Sequence, residues 1–203
     1  MAHTNRELIG FSRGISAQSM LLGYRAGAFA MSYRAPLYQW WSPDPRGVLP
    51  LDGLRMNRSL RKSVARFSVT FDKAFADVLA QCADPRRRGG WIDTGLRRAY
   101  LELHRAGHAH SVETRDDRGD LVGGLFVVNL GGFVSGESMF HRDRDASKVA
   151  LVSLVARLRE REQPVLLDTQ WCTEHLASLG VREVSREDYL RRLAGVIDRP
   201  DVW

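Results

Sequence analysis

The chain has 203 residues, of which 44% are hydrophobic and 27% charged. That make-up fits one compact domain, or one domain with a small appendage, and argues against a disordered or fibrous chain. With 30 basic and 24 acidic residues the formal net charge is +6, which favours polyanionic partners. No run approaches the roughly 20 apolar residues of a membrane span, and Met1–Glu7 lacks the apolar stretch of a secretory signal. The expected address is therefore the cytoplasm, where Cys82 and Cys172 stay reduced.

In chain order, the first 66 residues read as irregular apart from short helices. One runs from Ala17 to Ala26 and stops at Gly27, and a second runs from Arg58 to Arg66. Arg58, Arg61, Lys62 and Arg66 fall largely on one side of the second helix. Between the two, Trp40-Trp41-Ser42-Pro43-Asp44-Pro45-Arg46 is barred from regular helix by its prolines.

From Phe67 the pattern becomes regular. Phe67, Val69 and Phe71 alternate as a strand does. Lys73 to Cys82 reads as helix, and Pro85-Arg86-Arg87-Arg88-Gly89-Gly90 as a basic loop. Thr94 is the expected cap of a helix to Ala106, with Gly107 as its stop. His108–Arg115, Leu121–Leu130 and Phe133–Phe140 form three strands joined by turns at 116–120 and at Gly131-Gly132. A long amphipathic helix then runs from Asp145 to about Glu162. After it come a strand, Val165–Gln170, a short helix, Thr173–Leu179, and a last helix from Ser185 through Leu193. The expected division is a small N-terminal domain, 1–66, followed by a catalytic domain, 67–203.

Several residues point to chemistry. Asp168 and Gln170 lie two apart on one strand and so share a face. A carboxylate at the end of Val165-Leu166-Leu167-Asp168 is costly unless it is paired or used; it caps the following turn in the simplest reading. Glu137 and Met139 share a strand face by the same rule, with an exposed edge position as the plain alternative for Glu137. Leu154 and Leu158 are one helical turn apart and on pattern alone are core. Trp40 and Trp41 lie in a proline-bounded loop, and Trp91 follows the basic loop. Aromatic faces beside arginines are how single-stranded nucleic acid is held, at about 1–3 kcal/mol per stacked base. Of the 30 basic residues, 27 are arginine. Their planar forks suit phosphate, although a G+C-rich coding bias explains the arginine preference equally well. His108 and His110 alternate without a third ligand in view, so no metal site is expected. Walker and dinucleotide glycine motifs are absent, and no cofactor is expected.

Two strings are specific. One is Trp40-Trp41-Ser42-Pro43-Asp44-Pro45-Arg46. The other runs from Gly136-Glu137-Ser138-Met139-Phe140 through Asp145-Ala146-Ser147-Lys148 to Asp168-Thr169-Gln170 and His175-Leu176-Ala177-Ser178-Leu179-Gly180. Together they resemble the leucyl/phenylalanyl-tRNA–protein transferases, over nearly the whole chain. The resemblance implies an α+β fold, with a GCN5-related acyltransferase-like catalytic domain of mixed sheet and flanking helices. It implies transfer of Leu, Phe or Met from aminoacyl-tRNA to the N-terminal Arg or Lys of acceptor proteins, feeding N-degron degradation, by a monomer.

Carried over residue by residue, the resemblance makes Asp168 and Gln170 the catalytic pair. Asp168 takes the proton of the incoming amine in one scheme, and the tRNA takes it in another. Glu137 binds the α-ammonium of the donor, while Leu125, Met139, Leu154 and Leu158 wall its side-chain pocket. Trp40 or Trp41, together with Trp91, surrounds the terminal adenosine, and Thr173 lies near the acceptor side. Arg46, Arg58, Arg61, Lys62 and Arg66 track the tRNA phosphates. Two other readings stay open: an acyl-CoA-dependent N-acyltransferase, and a non-catalytic RNA-binding protein of the same fold. Against the first, Phe140–Lys148 carries Asp143 and Asp145 and no glycine where a pyrophosphate cradle needs bare backbone.

Overall fold

The computed structural model describes residues 7–87 and 90–203. Arg88 and Gly89 of the basic loop, and Met1 to Arg6, lie outside the described residues.

Two sheets organise the chain. The smaller consists of β1 (Leu8–Arg13), β2 (Phe29–Arg34) and β3 (Leu37–Trp41), with β3 in the middle and all pairs antiparallel. This corrects the expectation of irregular structure before Phe67: Trp40 and Trp41 end a strand instead of lying in a loop. Helix α1 (Ala17–Arg25) precedes β2 and is held at its start by a Ser16–Ser19 capping box.

The larger sheet has seven strands in the order β10-β4-β9-β8-β7-β6-β5. They are β4 (Arg46–Val48), β5 (Ser68–Phe71), β6 (Ala109–Arg115), β7 (Leu121–Leu130), β8 (Phe133–His141), β9 (Leu166–Gln170) and β10 (Arg182–Val184). Only β8 and β9 run parallel. Their connection is the long helix α5 (Ala146–Arg159), as a parallel pair requires. Because β4 belongs to this sheet, the expected division at residue 66 does not coincide with a gap in the packing. Met20, Tyr24 and Phe29 share one apolar cluster with Leu96, Tyr100 and Phe126.

The alternation of β7 builds both faces of the sheet. Leu125 and Val127 point to the side covered by α2 (Arg58–Val64) and α5, together with Val112, Val134 and Leu167. Phe126, Val128 and Leu130 point to the side covered by α1, α3 (Phe75–Cys82), α4 (Thr94–Arg105) and α7 (Arg186–Val196). Helix α4 is capped by the side chain of Asp93, not Thr94, through the Leu96 N–H. The side chains of Thr173 and Ser185 cap α6 (Glu174–Ser178) and α7.

At the start of α5 the contact with the sheet is close. A Cβ on Gly123 of β7 would meet Ala146 Cβ at 2.5 Å and the Ser147 nitrogen at 3.0 Å. Gly123→Val should therefore push α5 off β7 and cost about 1–3 kcal/mol, as overpacked cores do. Gly10→Ala has open space around it and should stay within about 0.5 kcal/mol of the parent. Urea unfolding of the two variants reads the difference, and equal stabilities would show that α5 is not seated through this glycine.

Candidate active site

Strands β8 and β9 pair only from Phe133–Leu166 to Ser135–Asp168. Beyond that point they diverge, and the gap is a cavity of about 270 Å³. Its walls are mostly apolar: Leu125, Met139, Leu151, Leu154, Leu167 and Leu176. Gly136, Glu137, Thr169 and Gln170 line it from the two diverging strands. Three of the four expected pocket residues, Leu125, Met139 and Leu154, are thus brought together. Leu158, one turn further along α5, is fully buried in the core and is not in the lining. Its spacing matched Leu154, but the cavity ends before the next helical turn.

Glu137 is placed by a β-bulge. The β7–β8 register passes from Phe126–Ser138 to Val127–Gly136, which leaves Glu137 as the extra residue. The bulge overturns the expected period-two relation with Met139. Met139 packs with the α5-side cluster, whereas Glu137 reaches the other face, where its Oε2 accepts the Tyr100 hydroxyl at 2.6 Å. Its second oxygen, Oε1, is buried without a hydrogen-bond partner. Burial raises the carboxyl above its ordinary pKa, against the opposing pull of the Tyr100 hydrogen bond. A buried, half-satisfied carboxylate at the end of an apolar pocket is suited to a cationic group.

Asp168 is fully buried and bound on both oxygens. Arg46 donates Nε to Oδ1 at 2.8 Å and Nη2 to Oδ2 at 2.6 Å. The Gln170 backbone N–H also donates to Oδ1 at 3.0 Å, and the Tyr189 hydroxyl to Oδ2 at 3.3 Å. Arg46, itself 1% exposed, donates further to the Gly27 carbonyl at 3.0 Å and lies over the Tyr189 ring. Burial alone would lower its pKa, but the Asp168 charge and hydrogen bonds raise it. The expectation that Arg46 tracks RNA phosphates is therefore corrected: its guanidinium is inside the protein, committed to Asp168. Asp168 in turn is not presented to a substrate as a free base. Gln170 ends β9 with φ of +58°. Its side chain donates to the Ser135 hydroxyl at 2.8 Å.

The tryptophans flank this centre through intermediaries, and none lines the cavity. Trp91 meets Tyr100 edge-on at 6.2 Å, and Tyr100 holds Glu137. Trp41 meets Trp171, the residue after Gln170, at 5.9 Å. Trp40 packs on Gly23 of α1 and donates Nε1 to the Ser12 hydroxyl at 3.0 Å. Arg58, Arg61, Lys62 and Arg66 are all exposed. Arg66 lies past the end of α2 and pairs with Asp143 at 3.0 Å.

Sequence reasoning missed Tyr24, Tyr100 and Tyr189. Tyr100 sits at helical spacing with Leu96, Ala99 and Leu103 and reads as core. Nothing in its pattern announces the carboxylate that it holds.

The geometry can be set beside known proteins. A family model described as Leucyl/phenylalanyl-tRNA protein transferase matches residues 48–194. A protein of that name from Rhizorhabdus wittichii is 49% identical over 187 residues, 89% of this chain and 75% of the relative. Those from Aromatoleum aromaticum and Pseudomonas putida are 50% and 44% identical, covering 89% and 98% of this chain and 77% and 89% of theirs. Among solved structures, a ribosomal-protein-alanine N-acetyltransferase from Brucella melitensis biovar Abortus 2308 aligns with a TM-score of 0.39 at 18% identity, over 56% of this chain and 87% of that one. That likeness is too slight to argue from, and the mixed α+β architecture rests on the strand order and helix placement given above. Matched along most of its length by the family model and by relatives near half identity, the chain belongs to the leucyl/phenylalanyl-tRNA–protein transferase family.

Proposed function

We propose that this protein transfers Leu, Phe or Met from aminoacyl-tRNA to the N-terminal Arg or Lys of acceptor proteins. It does so as a cytoplasmic monomer and marks those proteins for N-degron degradation. The observation that carries this reading is the apolar cavity ending on the unpartnered oxygen of Glu137. An apolar side chain such as that of Leu, Phe or Met fills such a pocket, and the carboxylate meets the α-ammonium that every aminoacyl donor carries.

In this reading the donor ester lies at the rim beside Gln170. The acceptor amine attacks the ester carbonyl, a C–N bond forms and the C–O bond to the terminal ribose breaks. The amine proton ends on the ribose oxygen that leaves. Asp168 serves as a positioning residue: with both oxygens engaged, it fixes Gln170 through the backbone N–H. That favours the scheme in which the tRNA takes the proton. Trp41 and Trp91 stack on the terminal adenosine, Trp40 steadies them from under α1, and Thr173 stands on the acceptor side. Arg58, Arg61, Lys62 and Arg66 meet the phosphates of the acceptor stem. Residues 1–66 brace the tryptophans, and 67–203 hold the chemistry.

The direct test is transfer of labelled leucine from charged tRNA to a peptide beginning with Arg. Label should move to the peptide and stop moving after ribonuclease treatment. Absence of transfer, or transfer insensitive to ribonuclease, would remove the proposal.

Two further outcomes are expected. Leu125→Trp and Met139→Trp should shift donor use from Phe toward smaller side chains by a graded amount, about 1–3 kcal/mol in kcat/KM ratio. Donor profiles identical to the parent would make these residues plain core. Glu137 should also give donor binding a pH dependence. Its carboxyl pKa is raised by burial, so lowering the pH through that raised value protonates it and removes the partner of the ammonium. The KM for a leucyl-adenosine donor should rise on acidification in the parent and stay flat in Glu137→Gln; parallel profiles would sever Glu137 from the donor.

A further inference from the structure

A second and larger cavity, of about 740 Å³, opens beside the apolar pocket. The two share Arg87, Met139 and Leu176 along a common rim. The second cavity has a different chemistry. Arg87, Arg142, Arg144 and Lys148 line it, and Asp145 is the only carboxylate among its described lining residues. Asp145 is already engaged, by Lys148 Nζ at 2.8 Å and the Ser63 hydroxyl at 3.2 Å. Asp143, the other acidic residue of this loop, pairs with Arg66 at 3.0 Å. Arg144 lies 3.8 Å from the Asp145 carboxylate but keeps 84% of its side chain exposed, and Arg142 is exposed and makes no ion pair among the described residues.

Arg87 marks the junction. Its Nη1 donates to the Cys82 carbonyl at 2.9 Å and its Nη2 to the Met139 carbonyl at 2.6 Å. These contacts fix a cation at the mouth of the apolar pocket. The cavity then continues into a third, which shares Ser59, Arg144 and Asp145 with it and adds Lys62 and Arg66 of the α2 region. The result is a basic trench from the pocket mouth to α2. His175 reports the same field: its pKa is lowered first by burial and then by Lys148 and His141.

We propose that this trench is the seat of the phosphodiester backbone of the donor RNA's single-stranded 3′ segment, with Arg87, Arg142, Arg144 and Lys148 as its cations. The proposal rests on the transferase reading, since a donor whose aminoacyl group fills the apolar pocket must lead its remaining nucleotides away from that mouth. The chemistry selects the occupant. A polyanionic strand complements four cations that face one engaged carboxylate, whereas an acceptor peptide beginning with Arg or Lys is repelled by them. None of these four residues lies on the basic face of α2, so the trench extends the phosphate-binding surface beyond the region that helical spacing marks out.

The test measures affinity for tRNA as a function of salt, alongside transfer from leucyl-adenosine, a donor that has no phosphates. The variant is Arg142→Gln combined with Arg144→Gln, and Arg118→Gln on the exposed 116–120 turn is the control for net charge. The double variant should bind tRNA about tenfold more weakly at low salt, and the slope of log affinity against log salt should flatten by about 1.4, the value for two single-strand phosphate contacts. Transfer from leucyl-adenosine should be unchanged, and Arg118→Gln should match the parent. An unchanged slope in the double variant, or a slope altered equally by Arg118→Gln, would overturn the proposal. So would loss of leucyl-adenosine transfer in the double variant, which would assign these arginines to the fold or the chemistry. A parent that binds tRNA but transfers from no donor would instead defeat the transferase reading, and the salt slope would still decide whether RNA occupies the trench.

Discussion

The bidentate ion pair between Arg46 and Asp168 is the constraint on which the rest of the structure depends. It is fully buried, so both charges lose their hydration, and that cost is offset by the bidentate geometry and by further hydrogen bonds to the Gly27 carbonyl and the Tyr189 hydroxyl. Arg46 reaches Asp168 on β9 and Gly27 ahead of β2, and its guanidinium lies over rings of Tyr189 on α7 and Phe29 on β2. Three separate stretches of chain meet at one side chain that projects from a fourth, β4. Neighbouring residues of the same motif extend the clamp: Asp44 accepts the Arg186 N–H at the start of α7, and the Ser42 carbonyl accepts the Arg186 guanidinium. The Trp-Trp-Ser-Pro-Asp-Pro-Arg string thus fastens the N-terminal segment to the larger sheet.

That clamp also fixes the geometry of the chemistry. With Asp168 held, Gln170 is held, because its N–H donates to the same carboxylate and its side chain to Ser135 across the parallel pair. The strands part just beyond Ser135 and Asp168, so the cavity opens where the pairing ends, with Gly136 and Glu137 on one strand and Thr169 and Gln170 on the other. A bulge in β8 then turns Glu137 into the opening from the opposite strand. An apolar pocket with one buried carboxylate and one fixed amide follows from where the ladder stops.

Much of the large sheet was legible in the sequence, because β6, β7 and β8 carry clear alternation and glycine turns separate them. The small sheet was not. Its strands are short, Gly10 interrupts β1, and the run Phe29-Ala30-Met31-Ser32-Tyr33 shows no clean period-two contrast. The site was legible in its residue types but less so in its geometry. Asp168 and Gln170 are linked through the Gln170 backbone N–H, yet period two cannot foresee a bulge, and so it put Glu137 with Met139. Arg46 was misread because an arginine in a proline-bounded string defaults to the surface; only the three-dimensional meeting of β4 with β9 reveals its partner. Leu158 matched Leu154 in phase, and the depth of the cavity, which spacing does not encode, excludes it.

The central claim is that Arg46 and Asp168 act as one structural unit. A double-mutant cycle with Arg46→Met, Asp168→Leu and the combined variant, read by urea unfolding, tests it most directly. Each single change strands a buried charge and should cost about 3–5 kcal/mol, while the combined change removes both charges and should restore most of that loss. Losses that simply add, or an Asp168→Leu variant as stable as the parent, would contradict the account.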